Sequence, residues 1–145
     1  MKERSRARTK GNRWLLKTDP EVYSISDLEK AGKAVWDGVT NNLALQNIRM
    51  IRKGDPLLIY HSGNEKAVVG LALAISDSYP DPKSDNPNIV VIDVKFIAHT
   101  THSVSLGVIK RLVNFSSSDL VRLPRLSVVP LTEKHYDKLM EMAGM

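Results

Sequence analysis

The chain has 145 residues, of which 42% are hydrophobic and 26% charged, the make-up of an ordinary globular protein rather than of a disordered or fibrous one. At this length one core suffices, burying roughly 68–70% of the extended chain's surface. There is no cysteine, which excludes a disulfide framework, thiolate metal sites and thiol nucleophiles, and no apolar run nears the ~18 residues that a membrane span requires.

The formal net charge of +5 lies in the first thirteen residues, where Lys2, Arg4, Arg6, Arg8, Lys10 and Arg13 stand against Glu3, and the basic and acidic residues that follow are equal in number. A neutral body argues against binding duplex mainly by neutralising many phosphates, which needs a basic face. A pocket needs only a few well-placed cations. Residues 1–13 read as a basic, solvated, disordered tail, or alternatively as a flexible arm with nonspecific affinity for nucleic acid. They hold no apolar signal-peptide core, so a soluble protein is expected, cytoplasmic, or nuclear if the source is eukaryotic.

Residues 14–145 show no internal repeat and no long linker, and read as one domain. Trp14 to Leu16 suit a buried strand, closed by the Asp19-Pro20 turn signal. Ser26 and Glu29 have capping-box spacing, which predicts a short helix stopped by Gly32. A second helix is predicted over residues 42–53, with Ala44, Ile48 and Ile51 facing inward and Gln46, Arg49 and Arg52 outward. Strands are predicted at 56–61, 67–75 and 89–97. The last of these alternates Val90, Ile92, Val94 and Phe96 with Val91, Asp93 and Lys95, as a strand with one buried face does. Residues 79–87 contain three prolines, which forbid a helix or a central strand and leave a long loop. Ser105 predicts a helix through Val113, a short turn of helix starts near Ser116, and Thr132 caps a last helix with Tyr136, Leu139, Met140 and Ala143 on one face. The mixture is α+β with a curved central sheet.

Two segments combine groups suited to binding. In Val35-Trp36-Asp37-Gly38-Val39-Thr40-Asn41-Asn42 an aromatic, an acid and a glycine precede a helix, which offers a stacking surface, a hydrogen-bond acceptor and a point of close approach. A core tryptophan followed by a tight turn explains the same residues without a ligand. In Tyr60-His61-Ser62-Gly63, alternation sends Tyr60 and Ser62 to one face and His61 to the other, as a base or as a structural histidine.

In chain order, Trp14-Leu15-Leu16-Lys17-Thr18-Asp19-Pro20, Trp36-Asp37-Gly38-Val39, Tyr60-His61-Ser62, Tyr79-Pro80-Asp81-Pro82, Asp93-Val94-Lys95-Phe96 and Arg125-Leu126-Ser127-Val128-Val129-Pro130 resemble the successive motifs of the EVE domain family. The resemblance spans about residues 14–140. It implies a PUA-like, YTH-like fold, a curved mixed sheet approaching a barrel with flanking helices, and a pocket on one side. It also implies a non-catalytic reader that binds a modified nucleobase of DNA or RNA, single-stranded or flipped out, in an aromatic pocket, with no cofactor, metal or membrane.

Carried over by position, Trp36 would be a cage wall, with Asp37, Gly38, Val39 and Asn41 beside the base edge. Lys17 and Thr18 would meet the phosphate, and His61, Ser62, Tyr79, Arg125 and Ser127 would complete the rim. After Val39 the family commonly has an arginine, then Asn, Tyr, Gln, Ala and a second Arg; here Thr40, Asn41, Asn42, Leu43, Ala44 and Leu45 stand there. Replacing Trp36 by Ala is expected to lose most binding without unfolding the domain. Two other classes remain open. One is an enzyme with His61 as general base and Asp37 or Lys17 as partner. The other is a protein-interaction module with a vestigial pocket. His99 and His102 are the best metal-ligand pair, without an acidic neighbour close in sequence.

Overall fold

The computed structural model describes residues 12–145; the basic tail, apart from Asn12 and Arg13, lies outside them. Arg13, assigned to the tail from sequence, is the first residue of strand β1 (Arg13–Thr18), and its guanidinium lies 5.7 Å from the ring centre of Tyr136. Trp14, Leu15 and Leu16 are all buried. Three consecutive buried side chains require cover on both faces of the sheet. β1 lies inside it, parallel to β3 (Pro56–His61) and antiparallel to β7 (Val128–Leu131). The Trp14 indole N–H donates to the buried Asp55 carboxylate at 3.0 Å, which also accepts from Arg52 N at 2.9 Å.

β4 (Ala67–Ala74) runs antiparallel to β3, and β6 (Val90–Ser105) antiparallel to β4. β2 (Lys33–Trp36) and the two-residue β5 (Tyr79–Pro80) both pair with β6. The order is β2-β6-β4-β3-β1-β7, with β5 beside β6, and the sheet is open. Register shifts between β4 and β6 fall opposite Val68–Gly70 and opposite Leu71–Ala72, with the extra residues on β6. Such bulges bend and twist a long strand. Gly70 sits between them, where an added Cβ would come within 2.4 Å of Ile25 Cδ1, so its lack of a side chain admits helix α1 (Ile25–Ala31) against the sheet.

Helix α2 (Asn42–Met50) touches both β6 and β7, near opposite ends of the sheet, and so fills the gap that closure would have filled. Asn47 Nδ2 donates to Val128 O at 2.8 Å and Arg49 to Asn88 O at 2.7 Å. Ala44, Ile48 and Ile51 are fully buried, as their spacing predicted. Short helices α3 (Leu106–Lys110) and α4 (Asp119–Arg122), a 3-10 turn at Val113–Phe115 and α5 (Glu133–Met142) complete the chain.

Several predicted details are corrected. The cap of α1 is Ser24 with Asp27, not Ser26 with Glu29: Asp27 N donates to Ser24 Oγ at 3.1 Å and Ser24 N to Asp27 Oδ2 at 2.9 Å. Ser26 is the second residue of the helix, and Glu29 pairs with His99 at 2.8 Å. α3 is capped by Ser105 as predicted but ends at Lys110, and the short turn of helix expected near Ser116 is α4, capped two residues later by Ser118. β6 runs eight residues past the predicted end at 97. β2, β7 and the two-residue β5, inside the expected loop, were not predicted. Thr132 does cap the last helix, with Leu139 and Ala143 buried and Tyr136 and Met140 against the core.

Candidate functional site

Between the end of β1 and edge strand β2 lies an open cavity of about 680 Å³, within the ~300–1,000 Å³ range of small-molecule sites. Lys17 and Thr18 enter from β1, Asp19, Val22 and Tyr23 from the turn that follows, and Ala34, Val35 and Trp36 from β2. Asp37 to Asn41, leading into α2, and Ser127, preceding β7, complete the wall. The turn is fixed by hydrogen bonds from Val22 N and Tyr23 N to Asp19 O at 2.9 and 2.8 Å, and by Thr18 Oγ1 donating to Tyr23 O at 2.7 Å.

Trp36 is only 7% exposed and belongs to the hydrophobic core, so it forms the back wall. Tyr23 meets it edge-on, with centroids 6.4 Å apart and an interplanar angle of 83°. Burial, and secondarily the Asp27 carboxylate, pushes the Tyr23 hydroxyl above its ordinary pKa, which keeps it a neutral donor. Gly38 has φ 82°, in the left-handed region that glycine adopts at little cost. It turns the chain from β2 toward α2. Asn41 caps α2, its Oδ1 accepting from Ala44 N at 3.0 Å. That commits the oxygen and leaves the side-chain amino group for other partners.

The cavity's cation is Lys17. Its Nζ donates to Pro124 O at 2.9 Å and lies 5.2 Å from the ring centre of Tyr60. Burial lowers its pKa below the ordinary 10.5. Two acids line the cavity: Asp19, whose Oδ1 accepts from Glu21 N at 2.9 Å, and Asp37, 3.4 Å from Lys83. Both partners are largely exposed, and such surface pairs contribute about 0–1 kcal/mol, so the Asp37 carboxylate is readily released to a ligand.

Of the residues singled out from sequence, Lys17, Thr18, Trp36, Asp37, Gly38, Val39, Asn41 and Ser127 come together here. His61, Ser62, Tyr79 and Arg125 do not line the cavity. His61 is buried under α1, where Nε2 accepts from Ile25 N at 3.0 Å and Nδ1 meets Glu65 at 2.8 Å. Both ring nitrogens are committed, with the proton assigned to Nδ1 by the donor at Nε2. Ser62 serves through its backbone, donating to Thr18 O at 2.9 Å. Tyr79 donates to Asp93 at 2.5 Å and pins the proline-rich loop to β6; the loop reaches the cavity rim through Lys83 instead. Arg125 borders an adjoining groove. The sequence reading missed Tyr23, whose signal was an aromatic in a polar turn, and Lys83. His99 meets Glu29 at 2.8 Å, and no cluster of His, Asp and Glu suited to a metal exists among the described residues. No described helix is long and apolar enough to cross a membrane.

An open, curved mixed sheet with a helix in its gap and a side cavity defines a PUA-like protein. A family model described as EVE domain matches residues 12–142, and the chain belongs to that family. It is 28% identical over 169 residues to human thymocyte nuclear protein 1, covering 89% of this chain and 72% of that protein. Among solved structures, a protein of Agrobacterium tumefaciens has TM-score 0.88 at 30% identity, covering 92% of this chain and 93% of its own. The structure of the human THYN1 protein in complex with 5-methylcytosine-containing DNA has TM-score 0.83 at 27% identity, covering 92% and 98%.

Proposed function

We propose that this chain is a non-catalytic reader that takes one modified nucleobase of DNA into the cavity between Trp36, Tyr23 and Lys17. The observation that carries this reading is the assembly, in one open cavity, of an aromatic wall, a carboxylate and a partly buried cation, in a chain similar to a protein solved with 5-methylcytosine-containing DNA. 5-Methylcytosine is therefore the first ligand to test.

Each group has a part. The base lies against the open edge of Trp36 and the ring of Tyr23; contact with an aromatic side chain contributes roughly 1–3 kcal/mol per base. Asp37 accepts from the exocyclic amino group, the pairing an acidic side chain makes with cytosine. The Asn41 amino group and the backbone around Gly38 serve the remaining edge. Lys17 meets the phosphate. Extruding a base from duplex costs a few kcal/mol, about what stacking returns, so unpaired or single-stranded substrate binds more tightly. A methyl group buried in the cavity contributes only ~0.8 kcal/mol, about fourfold in affinity. Sharper selection rests on hydrogen bonds, because an unpaired buried donor costs about 1–3 kcal/mol.

The enzyme reading needs a free base, and His61 is buried beneath α1 with both nitrogens engaged. A vestigial pocket would be closed, whereas this one is open. The test is calorimetric titration with single-stranded and duplex oligonucleotides carrying one 5-methylcytosine or cytosine. The reader binds the modified single strand best; turnover of the oligonucleotide, or indifference to the base, would contradict it.

A further inference from the structure

A second, shallower groove of about 350 Å³ opens off the cavity, lined by Asn41 and Leu43 at the start of α2 and by residues 122–126, from the last residue of α4 toward β7. Asn41 belongs to the walls of both hollows, and Lys17 ties the groove's far wall to the cavity through Pro124 O. Its chemistry differs from that of its surroundings. Leu43 is 42% exposed, whereas Gln46, one turn on along α2, is polar. Leu123 and Pro124 extend the apolar surface. Two guanidinium groups border it: Arg122 is held by Asp119 at 2.6 Å, and Arg125 has no side-chain hydrogen bond or ion pair among the described residues.

We infer that this groove is a second subsite, holding the nucleotide adjacent in the strand to the base in the cavity. Leu43, Leu123 and Pro124 support its base or sugar, and Arg125 meets the connecting phosphate. The inference rests on the proposed reading of the cavity. A nucleotide fits on three counts: it presents an apolar face and an anion together, its backbone joins the two hollows, and a guanidinium is suited both to phosphate and to the face of an unstacked base. A protein partner would need about 800 Å² of surface on each side, which a groove of this size does not supply.

The experiment compares two probes, 5-methyl-deoxycytidine monophosphate and a thymidine pentanucleotide with 5-methylcytosine at its centre, with the same pentanucleotide carrying cytosine as control, titrated into the full chain and its Arg125→Ala and Leu43→Ser variants. Both substitutions are on the surface. The wild type binds the pentanucleotide about tenfold more tightly than the monophosphate, the worth of one charge-assisted contact. Arg125→Ala loses most of that gain and lowers the salt dependence by the ~0.7 that one single-strand phosphate contributes; Leu43→Ser loses part of it. Both keep the wild-type affinity for the monophosphate. Equal affinity of the wild type for the two probes, or an equal loss on both in Arg125→Ala, overturns the subsite. Pentanucleotide binding that ignores the methyl group yet still depends on Arg125 would keep the subsite and remove the base-reading cavity. Binding of neither probe removes both.

Discussion

Tyr23 stands edge-on to Trp36, 6.4 Å between ring centres, and the two rings have unequal structural duties. Trp36 is a core residue, whereas Tyr23 packs against the core from a surface turn. Trp36→Ala therefore does what the sequence did not foresee: removing a buried tryptophan costs about 3–5 kcal/mol, and lost binding is confounded with lost stability. Tyr23→Ala leaves the denaturation midpoint close to wild type and still weakens nucleotide binding, by roughly 1–3 kcal/mol. Paired denaturant unfolding and calorimetry check this, and unchanged affinity in folded Tyr23→Ala would remove Tyr23 from the site.

Lys17 makes binding pH-dependent. Burial lowers its pKa below 10.5, and an anion beside it raises the bound-state value again. Affinity is then fully present below the free-state pKa and lost as pH rises through it. The decline begins at lower pH than an exposed lysine would give. Lys17→Arg, which stays charged throughout, flattens the profile measured by calorimetry across the alkaline range.

His61 carries structure rather than chemistry. His61→Ala strands the Ile25 N–H that Nε2 accepts, at about 1–3 kcal/mol. Thermal unfolding shows a lower midpoint, while the folded variant binds nucleotide as the wild type does. A variant of normal stability that had lost binding would return His61 to the site.

Tyr79 is a probe of the proline-rich loop. Its hydroxyl is pushed up to about 12, first by the hydrogen bond to Asp93 and then by burial. For an acid with a raised folded pKa, the stabilisation is complete below the ordinary value of 10.0 and disappears as pH rises toward 12. Tyr79→Phe removes this part of the alkaline loss and the highest step of the tyrosinate absorbance titration. A titration identical to wild type would contradict the contact.

The buried runs of β1 and β3 and the apolar stripe of α2 were legible because their patterns are local. Strand β2 was not: Lys33 and Val35 are exposed, and only pairing with β6 makes four such residues a strand. β7 was hidden by Pro130, tolerated because β7 ends the sheet and a strand edge needs no N–H donor there. Alternation placed Tyr60 and His61 on opposite faces but could not tell that both are covered. The contiguous run Trp36 to Val39 was legible as one wall of a site. Tyr23 and Lys83 were not, since only the Asp19 turn and the loop's path over Asp37 bring them to it.

The central claim is that a base enters against Trp36, and tryptophan fluorescence tests it most directly, because Trp14, the other of the two tryptophans, is sealed in the core. Titrating single-stranded DNA carrying one 5-methylcytosine, with unmodified DNA and the Trp36→Phe variant as controls, should give a saturable change that occurs at lower concentration for the modified strand and vanishes in Trp36→Phe. Binding seen by calorimetry with no change in Trp36 emission, or with equal affinity for both strands, would contradict the account.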